Sequence, residues 1–441
     1  MNARDAVVTA LLKIYEQGGY SNIVLDEMLE QSSMADSDRA FSARLLYGVT
    51  ERRLTLDYLL NKTSSTPVKQ MDSAVREILR VGVYQLVYMD KIPSFAAINE
   101  AVGQTRTFGC GRLSGFVNGV LRQVGRRYVD LLAELPNNDK GLEIRYSIPR
   151  AWIRVWRDAY GDEVLRGILK SINEAPPSYI RVNTCATTTT DFCALLDQYG
   201  VVYTPVSGLS DAVCVDAVKT LSDEFANQYY FQDIASQWSC LALEAKPGER
   251  IADVCAAPGG KTMTVAQYMR NNGEIVAGDL HDHKCRAMSQ RVTRYGLTCI
   301  SVRQKDASEA PAPEEIGTYD RVICDVPCSG LGVVRRKPEI RYKSPEDFID
   351  LPSLQLQILQ QAAKMVKPGG VLQYSTCTLR PEENEAVATA FLEKNRDFSP
   401  RVLPLTTCFE QSGLPLSHQI TLFPHIHGSD GFYIAGFVRK T

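Results

Sequence analysis

At 441 residues the chain is too long for one ordinary hydrophobic core, and two or three domains are expected. Hydrophobic residues make up 44% and charged residues 23%, which excludes a disordered polar chain, and no apolar run approaches the ~18 residues of a membrane-spanning helix. A net charge of −2 excludes a global attraction to nucleic acid, so any RNA footprint has to be a local basic patch.

Met1 to Asp5 lead straight into an amphipathic pattern, without the basic start and apolar core of a secretory signal. The 12 cysteines are scattered and form no C-x-x-C pair, which points to reduced thiols in a cytoplasmic protein. Cys324 and Cys328 have no second pair to complete a zinc set, and His281, His283 and His418 have no evident metal partners, so no metal is expected.

Residues 1–136 read as helix throughout. Val75, Leu79, Val83, Leu86 and Val87 recur at helical spacing, and breaks fall at Gly18-Gly19, Ser64 to Pro67, Ile92-Pro93 and Gly109 to Gly111. A small helical bundle is predicted, followed by a linker at Leu135 to Asp139. Residues 142–235 read as connecting helices, anchored by Trp152 and Trp156, and a small α+β module after Pro176-Pro177. From residue 236 to 441 strands and helices alternate. Strands are predicted at 250–254, 274–279, 299–304, 319–325 and 371–375, with a closing hairpin from 420–423 and 431–438. That alternation implies a mostly parallel, Rossmann-like sheet with ligands at the carboxyl ends of its strands.

The chemistry concentrates at those strand ends. Cys255, Ala256, Ala257, Pro258, Gly259, Gly260 and Lys261 link the first strand to its helix, where glycines admit a ligand and the helix start offers free N–H groups. A phosphate-binding G-x-x-x-x-G-K-[ST] loop is the rival reading, but Cys255 replaces its first glycine. Asp279, Asp306 and Asp325 follow the next three strands, and one acid per strand end around one glycine loop is the layout of an S-adenosylmethionine pocket. Amine methylases typically carry Asp/Asn-Pro-Pro-aromatic after the fourth strand; here Asp325-Val326-Pro327-Cys328 supplies a thiol. Cys377 supplies a second thiol after strand five.

Two thiols beside a methyl-donor pocket suit a carbon that cannot attack by itself. C5 of cytosine becomes nucleophilic only after a thiolate adds to C6, and the thiol must afterwards be eliminated. Asp325 would hold N3 and the amino group as charge develops there. The target base has to be unpaired or flipped, and Arg335, Arg336, Lys337, Arg341 and Lys343 are the candidate phosphate contacts; Arg122, Arg126 and Arg127 form a second basic cluster.

These three motifs resemble those of the RNA cytosine-5 methyltransferases. Ser42 to Val49, Ala97 to Val102 and Phe116 to Arg122 resemble a NusB-type RNA-binding bundle, and Arg145 to Pro149 with Trp152 and Trp156 resemble the family's connecting segment. Over nearly the whole chain the similarity is to the bacterial 16S rRNA methyltransferases of the Sun/Fmu type. The resemblance implies an RRM- or ferredoxin-like middle module and a class I methyltransferase domain. It implies Cys377 as nucleophile, Cys328 in product release, and the Cys255 to Lys261 loop with Asp279, Asp306 and Asp325 around S-adenosylmethionine. Asp430-Gly431-Phe432 matches a family motif expected near the site, whereas Ile148 stands where histidine is common. The implied partner is 16S rRNA before full subunit assembly, met by a monomer, with no membrane. Two other readings are a cytosine-5 enzyme for another RNA such as tRNA, and a non-catalytic RNA-binding protein.

Overall fold

The computed structural model describes residues 2–30, 34–216, 225–405 and 417–441. It divides into two compact units, Met1–Glu174 with Val334–Pro345, and Ala175–Val333 with Glu346–Thr441. Segment 142–235, read from the sequence as connecting helices and a small α+β module, divides at residue 174: the connecting helices join the first unit and the α+β module joins the second.

The first unit is helical. Helices α1 (Ala3–Gln17), α2 (Ser21–Glu30), α3 (Asp36–Glu51), α4 (Arg53–Thr63), α5 (Ser73–Tyr88), α6 (Ser94–Thr107) and α7 (Ser114–Ala133) form the bundle, with α8 (Asp139–Tyr146) and α9 (Arg150–Ser171) following. Their ends are set locally. Asn2 accepts the Asp5 N–H to open α1, Gly18 closes it in the left-handed region, and Asp72 caps Ala74 and Val75 at the start of α5. Helix α5 buries Val75, Ile78, Leu79 and Val83 against α1, α4, α6 and α7. Beside that apolar face, the buried Arg80 bridges Glu77 and Asp57 at 2.7 Å each, because a buried charge persists only when paired.

Segment 334–345 leaves the sheet domain and folds into this helical unit, which corrects the prediction of a continuous basic RNA patch. A 3₁₀ turn over Pro338–Tyr342 points Arg341 inward, where it is fully buried. Its guanidinium donates to the carbonyls of Glu51 (3.1 Å), Ile172 (3.2 Å) and Val334 (3.0 Å) and to Asn173 Oδ1 (3.1 Å). Tyr342 donates to the Thr50 carbonyl at 2.6 Å, and Trp152 Nε1 donates to the Lys343 carbonyl at 2.9 Å. Arg335 is buried as well and Arg336 is half-buried, while Lys337 and Lys343 are exposed beside the Tyr20 ring. Arg341 thus satisfies backbone carbonyls and cannot meet a phosphate; the five cations between residues 335 and 343 hid an alternation of inward and outward side chains. Arg122, Arg126 and Arg127 on α7 are exposed.

Arg341→Ala is expected to cost about 3 kcal/mol of stability, since it strands several buried acceptors. Denaturant unfolding checks this. Unchanged stability with a shallower salt dependence of RNA binding would restore the phosphate-contact reading.

The second unit holds two sheets. The smaller is antiparallel, in the order β2 (Tyr203–Val206), β3 (Leu209–Val215), β1 (Ser178–Val182), β4 (Tyr229–Phe231), with α10 (Thr189–Gln198) packed on it. Buried Arg181 ties β1 to the larger domain by donating to Gln267 Oε1 at 2.9 Å and to the Tyr268 hydroxyl at 3.2 Å. Helix α11 (Ile234–Leu243) then leads into β5 (Arg250–Asp253), α12 (Gly260–Tyr268), β6 (Glu274–Asp279), α13 (Asp282–Arg294), β7 (Ile300–Gln304), β8 (Tyr319–Asp325), α14 (Leu351–Met365), β9 (Val366–Thr376), α15 (Glu385–Lys394), β10 (Phe398–Pro400), β11 (Gln419–Leu422) and β12 (Phe432–Arg439).

The large sheet runs β10-β12-β9-β8-β5-β6-β7, with β11 on β12. Strands β5 to β9 pair in parallel, whereas β12 returns antiparallel to β9. From β5 the chain builds outward through β6 and β7, then crosses back to β8 on the other side. The topological switch point therefore lies between β5 and β8, the position where open α/β sheets bind ligands. Strand β10 and helix α11 were not foreseen from the sequence.

Candidate active site

The two strands at the switch point end in acids that differ in surroundings. Asp253, at the end of β5, is 1% exposed and accepts from Thr262 Oγ1 at 2.7 Å. Burial outweighs that hydrogen bond and pushes its carboxyl up to about 7. A folded-state pKa above the unfolded one near 4 means the protonated form favours folding, so that contribution is complete below about pH 4 and is lost as pH rises through about 7. Asp253→Asn is therefore expected to flatten the fall in melting temperature between pH 5 and 8; an unchanged slope would contradict it.

Asp325, at the end of β8, sits in a polar cradle. Lys261 Nζ lies 2.6 Å from its Oδ2, and Ser375 Oγ donates to Oδ1 at 2.7 Å. Burial works against the Lys261 ammonium, but the adjacent Asp325 carboxylate more than offsets it and holds the lysine above its usual range. The ammonium also lies 4.9 Å from the Phe432 ring centroid. Lys261 is placed there by the glycine turn that starts α12: Gly259 has φ +96°, and a side chain on it would strike Met288 at 2.9 Å.

Asp279 ends β6, nearly buried, and its Oδ1 accepts the His281 N–H at 3.1 Å. Asp306 follows β7 partly exposed, and hydrogen bonds from the Ser308 hydroxyl and N–H hold its carboxyl below the usual range. The structure thus brings Cys255 to Lys261, Asp279, Asp306 and Asp325 to one edge of the sheet. Cys255 is desolvated beside Asp253, which drives its thiol well above the usual range and suits a packing role more than a reactive one.

The two remaining thiols meet. Cys377 follows β9, Cys328 follows β8, and their sulfurs are 3.3 Å apart, both partly exposed. The hydrogen bond to Cys377 and burial push the Cys328 thiol well above its usual range. Either sulfur of the pair can donate to the other. The loops carrying them are pinned together: Ser329 Oγ and Thr378 Oγ1 are 2.7 Å apart, and the Gly332 N–H donates to the Cys377 carbonyl at 2.9 Å. Gly332 has to be glycine here, because a Cβ would lie 1.8 Å from the Gly431 carbonyl oxygen. Through Gly431 and Phe432, the Asp430-Gly431-Phe432 motif reaches the same edge, and the Asp430 N–H donates to Asp233 at 3.1 Å.

Sequence reasoning missed the polar residues behind the thiols. Ser375, Gln355, Glu383 and Asn384 are all fully buried. Glu383 follows Pro381 just ahead of α15, where an acid reads as ordinary complement to a helix dipole. The signal for Glu383 and Asn384 lay in position alone, a few residues past Cys377. Among the described residues no group of three His, Cys, Asp or Glu side chains could hold a metal ion, and no helix is long and apolar enough to cross a membrane.

Comparison with known proteins matches the "16S rRNA methyltransferase RsmB/F" family model over residues 240–438, the NusB family over 1–126, and the ferredoxin-like domain of RsmF/B-like methyltransferases over 148–220. A "probable ribosomal RNA small subunit methyltransferase B" of Bacillus subtilis is 35% identical, covering 100% of this chain and 99% of its own. A Synechocystis protein of the same description is 32% identical over 100% of both chains, and ribosomal RNA small subunit methyltransferase B of Escherichia fergusonii is 31% identical over 100% and 99%. Among solved structures, the one titled "Crystal Structure of PH0851" superposes with a TM-score of 0.83 at 24% identity, covering 99% of this chain and 98% of that one. A methyltransferase homologue from Pyrococcus horikoshii gives 0.59 at 27% identity, over 69% and 100%. With its NusB-like bundle, ferredoxin-like sheet and methyltransferase domain, the chain belongs to the S-adenosylmethionine-dependent ribosomal RNA small subunit methyltransferase B family.

Proposed function

We propose that this protein methylates C5 of one cytosine in 16S rRNA, before the small subunit is fully assembled, through a covalent bond between Cys377 and C6 of the base. The observation that carries this reading is the pair of thiols, 3.3 Å apart, at neighbouring strand ends beside the Lys261–Asp325 pair. Methylation of an exocyclic amine needs no thiol; activation of C5 needs one to add and a proton source to help it leave.

The loop Cys255 to Lys261 would hold the cofactor with Asp279, Asp306 and Asp325. Their chemistry fits: a glycine turn in the left-handed region admits close backbone approach, and an acid held ionised by Ser308 suits a hydrogen-bond donor. S-adenosylmethionine supplies an electrophilic methyl group when bound there. The chain's own groups do the rest. The Cys377 thiolate gives its electron pair to C6, and the C5–C6 π pair moves to C5 and N3. Asp325, kept in place by Lys261 and Ser375, accepts from the exocyclic amine, and the Lys261 ammonium beside it offsets the charge that develops toward N3. Once C5 is methylated its proton passes to a solvent base, the C5–H electron pair restores the C5–C6 double bond, the C6–S bond breaks, and Cys328 hands a proton to the departing sulfur. All these groups lie in the second unit of a single chain, so a monomer suffices.

The test is incubation with methyl-labelled S-adenosylmethionine and unmodified 16S rRNA, then digestion to nucleosides. Label in 5-methylcytidine at one position is expected. Label in N4-methylcytidine would overturn the chemistry, and label in tRNA but not 16S rRNA would overturn the substrate.

A further inference from the structure

Behind the two thiols lie two adjacent buried residues that each hold a different one. Glu383 Oε2 accepts the Ser329 N–H at 2.9 Å and Gln355 Nε2 at 2.9 Å, and the same Gln355 amide donates to the Pro327 carbonyl at 3.0 Å. Pro327 and Ser329 are the two neighbours of Cys328. Asn384 takes the other loop: its Oδ1 accepts from Thr376 Oγ1 at 2.5 Å, and its Nδ2 donates to the Thr378 carbonyl at 3.0 Å. Thr376 and Thr378 are the two neighbours of Cys377. Glu383 and Asn384 are both 0% exposed and separated from solvent, so their hydrogen bonds have no water to replace them. Tyr374 adds a third tie by donating to the Glu383 carbonyl at 2.5 Å.

Resting on the covalent reading above, we infer that Glu383 and Asn384 are positioning residues with divided roles: Asn384 aims Cys377 for attack, and Glu383 aims Cys328 for release. One peptide unit joins them, so the gap between the two thiols is set from behind by a single rigid piece of backbone, ahead of α15. A loop freed from its clamp by about 1 Å loses on the order of 10²-fold in the step it serves, and the two steps are separable.

The experiment uses the full chain and two RNAs. With 5-fluorocytidine-substituted 16S rRNA and S-adenosylmethionine, the fluorine cannot leave C5 as the proton does, so attack and methyl transfer without release are read as trapped adduct on a denaturing gel. With unmodified 16S rRNA and S-adenosylmethionine, release is read as adduct that persists. Asn384→Ala is expected to slow adduct formation about 10²-fold on the fluorinated RNA. Glu383→Ala is expected to form that adduct at the normal rate, yet to accumulate a persistent adduct on unmodified RNA, as is expected of Cys328→Ala. Asn384→Asp and Glu383→Gln, which keep an acceptor in place, are expected to recover part of each function. Retained S-adenosylmethionine binding shows that a variant is folded. If both alanine variants fold and slow the same step equally, or neither slows any step, the division of roles is wrong. If Cys377→Ala itself still methylates, the underlying covalent reading fails instead.

Discussion

Cys377→Ala is expected to abolish methylation, by about 10⁴-fold or more, while leaving S-adenosylmethionine binding intact. The size follows from the chemistry: without an adduct at C6, C5 has no electron pair to offer, and no neighbouring group supplies one. Cys328 cannot substitute. The hydrogen bond to Cys377 and burial both push its thiol up, and removing Cys377 leaves the burial. Binding survives because Cys377 follows β9, whereas the glycine loop and Asp279 lie at the ends of β5 and β6. Radiolabel transfer and equilibrium cofactor binding, measured on the same preparation, check both halves. Methylation at more than a few per cent of the wild-type rate would exclude Cys377 as nucleophile.

Cys328→Ala is expected to act later. The adduct forms, the methyl group is transferred, and the complex stalls, so protein and RNA migrate together on a denaturing gel. Loss of a positioned proton donor costs about 10² to 10⁴ in the step it serves, enough to make release the slow step. The 3.3 Å contact gives the reason, because the thiol nearest the leaving sulfur is the one removed. Free protein with rapid turnover would show that another group or water drives elimination.

The parallel sheet was legible because its signals are local. Glu274–Asp279 and Tyr319–Asp325 each carry a short apolar run, Ile275 to Gly278 and Val322 to Cys324, that ends in an acid, and both strands have the bounds their sequence suggests. The glycine turn at Gly259 was equally visible, since only glycine is comfortable at that φ. What could not be read was whatever depends on long-range burial. Arg341 looked like a phosphate contact because charge implies exposure, yet its four acceptors lie up to 290 residues away in sequence. Glu383 and Asn384 looked like the polar start of a helix, and only the fold shows that they face Ser329 and Thr376. In each case the residue type was plain and its partner was not.

The covalent bond itself is the most direct test. The protein is incubated with 5-fluorocytidine-substituted 16S rRNA and S-adenosylmethionine, the trapped complex is digested with nuclease and protease, and the modified peptide is sequenced by mass spectrometry. A methylated fluorocytidine nucleotide on Cys377 is the expected result. The same nucleotide on Cys328, or none on either thiol while 5-methylcytidine still forms in unmodified RNA, would contradict it.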